Sequence, residues 1–351
     1  MPSPAFEPGR LRLARELRSL SQTELATQAE ITGAAVSQFE SGATRPTQAT
    51  IEGLAVALKV PTEFFGLPDD ETHEGFFRSL RRTTVTDRRR ARAIAHIAHD
   101  VVVLGSAEQR HTKADISRLP ASGLETSADE MEKAAAKVRQ AWRVPAGPIQ
   151  NVVGLVEGHG IVVLRLPLDS ADVDAFSLPF ADHPVVVLGS DKNDRARSRF
   201  DASHELGHLV VHGDEVWGLP QVERQAHEFA AAFLMPKNEI QRELPNSVDW
   251  GVLFELKRKW QVSLAALLMR ARTLGRMSEG TYLTAIKAAS ARGWRRVEPV
   301  AIGEPERPEL LSNMLRSRRG HLRALPDDIV ATVAAELPGP DRAAKIERKT
   351  R

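Results

Sequence analysis

The stretch SRFDASHELGHLVVHGD, residues 198–214, carries three histidines four residues apart and a glutamate directly after the first of them. Its apolar residues follow the 3.6-residue period of a helix. On such a helix His204 and His208 leave from one face, close enough to share one ion. Glu205 lies about a third of a turn further round, where it can reach an attacking water as general base. The spacing therefore predicts a metal-binding catalytic helix.

This stretch does not supply a third ligand in a known pattern. The metzincin pattern places Gly and His three and six residues after the second histidine, but this chain has Val211 and Asp214 there. His212 continues the spacing, yet one straight helix turns away too fast for three such histidines to hold one ion. We therefore expect His212 to support the site from outside the coordination sphere of the metal or to cap the helix end. Asp214 stays an alternative ligand just past the helix.

The next helical segment, VERQAHEFAAAFLMP (222–236), offers further ligands. Glu223 and His227 are four residues apart and share a face, which Glu228 does not share well. The chain has no Cys, so a zinc site would consist of His and carboxylate. A set of two histidines and a carboxylate would also accept Mn²⁺ or Fe²⁺.

The 351 residues are enough for two or three domains, and a content of 42% hydrophobic and 27% charged residues is that of a soluble globular protein. No stretch approaches the roughly eighteen apolar residues of a membrane span, so we expect a cytoplasmic protein without a membrane partner. The net charge of +2 is too small to indicate a polyelectrolyte partner. Two basic segments, 78–92 and 342–351, are typical of solvated helix faces or frayed ends, with nucleic-acid contact as the alternative.

The first part of the chain predicts five short helices between residues 8 and 66. Ser21 and Glu24 have the spacing of a capping box, Thr32 is placed to cap the next helix, and Gly42 to end it. Two short helices joined by a tight turn inside a compact helical unit are typical of a helix-turn-helix.

The segment LSQTELATQAEITGAAVSQFESGATRPT (20–47) resembles the helix-turn-helix of the XRE, or phage Cro/repressor-like, family. The resemblance implies binding to a double-stranded DNA operator, with Gln22 on a phosphate. We expect DNA contacts from residues at the start and outer face of the motif helices: Gln22, Thr32, Gly33, Ala34, Ala35, Ser37 and Gln38. Gln38 is the best base reader, because Gly and Ala side chains cannot make bidentate contacts.

The charge of this domain does not favour DNA by itself, since residues 1–66 hold six basic and seven acidic side chains. DNA affinity depends on neutralised phosphates. We therefore expect a homodimer, help from the arginines after Phe77, or modest affinity. A helix-turn-helix used only for protein contacts is the alternative.

Residues 67–120 are expected to form linker helices. Their apolar stripe is a candidate dimer contact and consists of Phe76, Phe77, Leu80, Ile94, Ile97 and Val101. His96 and His99 have no carboxylate at a fitting offset, so we expect a surface or core pair rather than a metal site.

Residues 121–300 begin with a helix capped at Ser127 and continue with three β-type runs, IVVLRLP, VDAFSLPF and PVVVLGS, directly before the metal helix. The expected fold class is mainly α with a small β-sheet (α+β). The last segment, 301–351, is expected to be a partly disordered extension with a helix in RPELLSNMLRS.

The pair of segments RFDASHELGHLVVH and VERQAHEFAAAFLMP is similar to the ImmA/IrrE family of zinc metallopeptidases, in which HExxH is followed by a helix of the form E-x-x-A-N-x-F-A. The resemblance implies a zincin-like domain of gluzincin type, with one Zn²⁺ per chain on His204, His208 and Glu223 and with Glu205 as catalytic base. The Asn that is usual in the family is His227 here. We interpret His227 as a support for the ligands, an oxyanion stabiliser or a competing ligand.

Together the two resemblances cover roughly residues 8–310, as in regulators that join an XRE domain to an ImmA/IrrE domain. They imply a transcriptional regulator whose zinc endopeptidase cleaves an XRE-type repressor, or itself, to relieve repression under stress. One alternative is a transcription factor whose peptidase-like domain only senses a metal or small ligand. Another is an immunity regulator of a phage or mobile element.

Overall fold

The computed structural model describes residues 6–69, 84–106, 113–168, 175–212, 219–295, 297–318 and 322–334, which are mainly helical with one small sheet. The N-terminal part consists of α1 (Pro8–Leu17), α2 (Gln22–Gln28), α3 (Gly33–Glu40), α4 (Gln48–Leu58) and a 3-10 helix (Thr62–Gly66). The middle part consists of α5 (Val85–Ser106), α6 (Ala128–Ala141), α7 (Val152–Gly158), β1 (Val162–Leu166), β2 (Ala175–Leu178) and β3 (Val185–Gly189). The remaining helices are α8 (Arg195–Val211), α9 (Pro220–Leu234), α10 (Lys237–Ile240), α11 (Trp250–Trp260), α12 (Leu264–Thr273), α13 (Glu279–Ala291), α14 (Leu310–Arg318) and α15 (Asp327–Ala334). The predicted fold class is confirmed. No helix of the described ranges is long and apolar enough to cross a membrane.

Local signals set the starts of α2 and α3. The Ser21 hydroxyl accepts the Glu24 amide at 3.1 Å, and the Glu24 carboxylate accepts the Ser21 amide at 2.7 Å. The Thr32 hydroxyl accepts the Ala35 amide at 3.1 Å. These bonds satisfy amide groups that a helix start leaves without intrahelical partners. The predicted capping box and Thr32 cap are confirmed, as are the five short helices.

The three predicted strands form a mixed sheet in the order β1-β3-β2, with β1 parallel and β2 antiparallel to the central β3. Alternate side chains of β3 point to opposite faces, so Val185 and Val187 pack in one core and Val186 and Leu188 in another. The first core also contains the helix-turn-helix and α5, and the second contains α8 and α9. The sheet therefore separates the two halves of the molecule, which explains why its strands are continuously apolar.

Helix α5 is not a simple linker. Ile94, Ile97 and Val101 are fully or almost fully buried in the first core, between α1 and the sheet. The described part of the predicted dimer stripe is thus buried inside the chain and is not available to a second copy. Phe76, Phe77 and Leu80, the rest of the stripe, lie outside the described residues. A dimer contact through α5 would have to use its exposed side.

The histidines of α5 are a core pair. His99 is stacked on Phe180 with ring centroids 3.8 Å apart, and its Nε2 lies 2.7 Å from the Asp182 carboxylate. His96 meets the edge of the same phenyl ring. Local spacing offered no carboxylate for this pair; Asp182, in the loop between β2 and β3, supplies one from eighty-three residues further along the chain.

The described residues after 300, namely 301–318 and 322–334, belong to the folded body. The predicted helix in RPELLSNMLRS is confirmed as α14. Leu311, Leu315 and Ile329 of α14 and α15 pack in the same core as α5. Arg18, the C-cap residue of α1, binds Asp328 of α15 at 2.5 Å. The predicted disordered tail falls on residues outside the described ranges.

Candidate metal centre

Helices α8 and α9 bring the predicted ligands together because they pack very closely. Gly207, in the C-terminal half of α8, faces α9: a Cβ there would lie 3.1 Å from Phe229 Cδ1 and 3.3 Å from the Ala226 carbonyl oxygen. Glycine in a helix interior costs stability, so a position of this kind indicates a demand for close approach. The result is that Glu223, one turn before Ala226, reaches the two histidines of α8.

The donor atoms of His204, His208 and Glu223 lie within 4.8 Å of one another. The two Nε2 atoms are 3.1 Å apart, and the Glu223 carboxylate oxygens are 3.4 Å from His204 Nε2 and 4.0 Å from His208 Nε2. Donors at about 2.0–2.2 Å from a tetrahedral Zn²⁺ are themselves separated by a little over 3 Å. Two histidines and a carboxylate with this spacing fit one divalent ion. Within the described ranges this is the one cluster of its kind.

A hydrogen-bonded chain behind His208 sets which of its nitrogens faces the site. Gln225 donates its amide nitrogen to the carbonyls of Gly123 and Leu124 at 2.9 and 3.0 Å, which turns its amide oxygen toward His212 Nε2 at 3.0 Å. That oxygen can only accept, so the hydrogen of His212 is on Nε2 and its Nδ1 accepts from His208 Nδ1 at 3.0 Å. His208 Nε2 is then left with its lone pair toward the site.

Burial supports this arrangement. The pKa of His208 lies well below its ordinary value, first because the ring is buried and second because of the charges of His204 and His212. Burial likewise lowers the pKa of His212. Both rings are therefore neutral at pH 7, and neutral imidazole is the form that binds a metal. His212 lies outside the donor set and at the C-cap of α8, and Asp214 lies outside the described residues.

Glu205 follows His204 on α8 and is 3% exposed. Its carboxylate accepts the Ser177 hydroxyl of β2 at 2.7 Å. Burial raises the pKa of Glu205 to about 8; the Ser177 bond lowers it, and the charges of Glu223 and Asp201 raise it further. Sequence reasoning missed Ser177, although a serine inside the apolar run AFSL was a signal, since a buried hydroxyl needs a partner.

His227 is exposed and does not belong to the donor set. Its ring centroid lies 4.5 Å from that of His204, and its Nδ1 donates to the Glu223 carbonyl at 2.8 Å. The pKa of His227 is lowered by the partial burial of its ring and by the nearby charge of His204, so the ring is neutral at pH 7. With its hydrogen on Nδ1, the neutral His227 ring has an acceptor at Nε2 rather than a donor.

A buried ion pair fixes the start of α8, and sequence reasoning missed it as well. Arg199 is fully buried and binds the Glu306 carboxylate, and it also donates to the Ile149 carbonyl at 2.6 Å. Glu306 in turn accepts the amides of Val152 and Val153 at the start of α7, at 2.8 and 3.0 Å. Burial lowers the pKa of Arg199, and the nearby Glu306 carboxylate raises it. The segment beyond residue 300 thus braces the helix that carries His204 and His208.

The candidate DNA contacts lie on the helix-turn-helix with different exposure. Gln22 is half-buried, and its amide donates to the Glu40 carboxylate at 2.9 Å. Glu40 also binds Arg15 at 2.5 Å in a buried pair. The remaining candidates form two groups: Thr32, Ala34, Ser37 and Gln38 are exposed, and Gly33 and Ala35 are half-buried.

Family comparisons agree with both parts of this architecture. Residues 11–65 match a family model described as helix-turn-helix, and residues 156–272 match the model of an IrrE N-terminal-like domain in peptidase family M78. The chain joins an XRE-type helix-turn-helix domain to an IrrE-like domain. No curated protein matches it.

The match to the IrrE-like domain runs from α7 to α12 and so includes the sheet, α8, α9 and the whole donor cluster. The match to the helix-turn-helix ends with the 3-10 helix. Helices α5, α14 and α15 lie outside both matches, yet they fill the core between the two domains.

Proposed function

We propose that the chain is a DNA-binding transcriptional regulator that carries a working zinc-dependent endopeptidase. The observation that supports this most is the convergence of His204, His208 and Glu223 beside the buried Glu205. A domain that only sensed a metal would need the three ligands, but it would not need a buried carboxylate held by a hydroxyl.

In this proposal His204 Nε2, His208 Nε2 and the Glu223 carboxylate hold the ion. A bound Zn²⁺ would supply Lewis acidity toward the peptide carbonyl and lower the pKa of water. A divalent ion beside Glu205 would also favour the ionised form of this carboxyl group. The Glu205 carboxylate could then take the proton of the attacking water and return it to the nitrogen of the leaving amine. Ser177 keeps the Glu205 carboxylate in place through the 2.7 Å bond.

The proposed substrate is an XRE-type repressor protein, or the chain itself, whose cleavage relieves repression under stress. The proposed partner of the other domain is a double-stranded DNA operator, bound by a homodimer because the domain carries little net positive charge. A peptidase attached to an operator-binding domain meets repressors on the same DNA at a raised effective concentration.

The test compares metal content and cleavage in purified wild type and Glu205→Gln, using XRE-type repressors as substrates. We expect about one Zn²⁺ per chain in both proteins, and cleavage about 10²- to 10⁴-fold slower in the variant. Undiminished cleavage by Glu205→Gln would refute the peptidase proposal.

A matched pair on α9 tests the ligand assignment. Glu223→Gln should lose the metal, whereas Glu228→Gln, which changes a carboxylate outside the donor set, should keep it. Equal metal content in the two variants would contradict the role of Glu223.

A sensor without peptidase activity is the second candidate, and the docking of the two domains favours it. Arg10 of α1 binds Asp100 of α5 at 2.5 Å in a buried pair, and α5 packs on the sheet that carries Ser177. Under this candidate, DNA affinity responds to added Zn²⁺ in Glu205→Gln as strongly as in wild type, and no repressor is cleaved.

A further inference from the structure

A cavity of about 340 Å³ lies between α5, the turn from α7 to β1, and α14, and shares no residue with the metal centre. Ligand pockets in proteins usually measure about 300–1,000 Å³. Its lining combines polar and apolar side chains with two glycines and consists of Val102, Lys113, Asp115, Glu157, Gly158, His159, Gly160, His183, Leu310 and Met314.

The backbone fixes two walls of this cavity. Gly160 has φ +84, and a Cβ on it would lie 2.8 Å from Ala114 Cα, so only glycine lets the two segments lie this close. Ala114 donates to the Asp182 carbonyl at 2.7 Å, and Asp115 to the His159 carbonyl at 2.9 Å. The segment around Ala114 is therefore held against the turn.

A third wall is tied to the same turn by Glu157. Its carboxylate accepts the backbone amides of Glu309 and Leu310, where α14 begins, at 2.8 and 3.2 Å. A carboxylate has about four lone-pair sites, so Glu157 retains capacity for a further donor.

The polar lining is rich in acceptors. His183 is buried, and its Nδ1 lies 3.0 Å from the Gly160 carbonyl oxygen, which can only accept. His183 Nδ1 therefore donates to this carbonyl oxygen. The carboxylates of Glu157 and Asp115 add negative charge. His159 Nδ1 lies 3.6 Å from the Asp115 carboxylate, and Lys113, which is exposed, adds positive charge.

The remaining side chains offer an apolar surface. Val102 and Met314 are buried, and Leu310 is half-buried. Burial raises the pKa of Glu157 to about 7, the two amides lower it, and the charge of Glu309 raises it. A bound cation would favour the ionised carboxylate, whereas a bound anion would meet two carboxylates.

We propose that this cavity binds a small organic amine, with the ammonium group at Glu157 and Asp115 and an alkyl part against Val102, Leu310 and Met314. The ligand would contact α5, the helix that holds the DNA-binding domain through Asp100 and Arg10. The proposal goes beyond the peptidase and does not depend on it.

The experiment is calorimetric titration of the full chain with hexylamine, and separately with hexanoate and hexanol at the same ionic strength. We expect saturable binding of one hexylamine per chain, and binding of the acid and the alcohol at least about tenfold weaker. Absence of saturable binding by hexylamine, or equal affinity for hexanoate, overturns the proposal.

Three variants locate the site. Glu157→Gln should weaken hexylamine binding by about tenfold or more, since it removes a largely buried charged acceptor. Asp115→Asn should weaken it by about two- to fivefold, because the Asp115 side chain is 70% exposed and its charge is screened. Glu125→Gln, a change of an exposed carboxylate outside the cavity, should leave affinity unaltered.

The exposed position of Asp115 keeps the test independent of folding. If Glu157→Gln lowers the thermal midpoint so far that it cannot be titrated, the comparison of Asp115→Asn with Glu125→Gln decides. Equal hexylamine affinity in these two variants overturns the proposal.

Discussion

Replacing His212 with phenylalanine should weaken metal binding although His212 is not a ligand. Phenylalanine keeps the ring but removes the Nδ1 that accepts from His208 Nδ1 at 3.0 Å. His208 is 1% exposed, so water does not replace the lost partner. A buried donor without a partner costs about 1–3 kcal/mol, which corresponds to about 5- to 150-fold in an equilibrium constant. This agrees with the losses of about 10- to 100-fold found when the supports of metal ligands are removed.

The assay is competition for Zn²⁺ between the protein and a chromogenic chelator of known affinity. Gln225→Met should give a similar loss, and the double variant should be little weaker than either single one, because both changes break the same chain of hydrogen bonds. His159→Phe is the matched control, since His159 is stacked on Trp142 away from the donor cluster. A zinc affinity of His212→Phe equal to that of His159→Phe would refute the reasoning.

Three further changes test other parts of the structure. The pKa of Glu157 is raised from 4.5 to about 7 in the folded chain, so its contribution to stability is complete below pH 4.5 and is lost as the pH rises through about 7. The free energy of unfolding of wild type minus that of Glu157→Gln, from urea titrations, should fall by on the order of 3 kcal/mol over this window, and a constant difference would contradict the raised pKa. Arg10→Met should lower the free energy of unfolding by about 3–5 kcal/mol, because the buried Asp100 carboxylate loses its guanidinium, and adding Asp100→Leu should recover most of it; a double variant as unstable as the single one would argue against the ion pair. Gln38→Ala should weaken operator binding by about 1–3 kcal/mol in fluorescence anisotropy while the exposed Gln48→Ala leaves it unchanged, and equal effects of the two would remove Gln38 from the readout.

Several features could be read from the sequence because they depend on residues close together in the chain. The caps at Ser21 and Thr32 need partners only three residues away. The shared face of His204 and His208 needs only the period of a helix. The choice of Glu223 as the third ligand also required the family resemblance, because helical spacing alone allows either Glu223 or His227.

Other features depend on contacts that no local pattern encodes. Ser177 reaches Glu205 across twenty-eight positions, and Glu306 reaches Arg199 across more than a hundred. The predicted linker is a central helix, α5, because apolar side chains of the helix-turn-helix and of one sheet face are both buried against it. His99 contacts the Asp182 carboxylate, which lies in a loop distant along the chain, because α5 packs against the sheet.

The sequence by itself determined the order of the elements, the DNA-binding motif and the pair of histidines, since helix period and capping act within a few residues. The tertiary structure decided the rest of the candidate site. Close packing of α8 and α9 at Gly207 brought Glu223 to the histidines, and Gln225 and His212 turned the lone pair of His208 toward them. Orientation and protonation of a buried side chain depend on what surrounds it in space, and the chain order does not specify those neighbours.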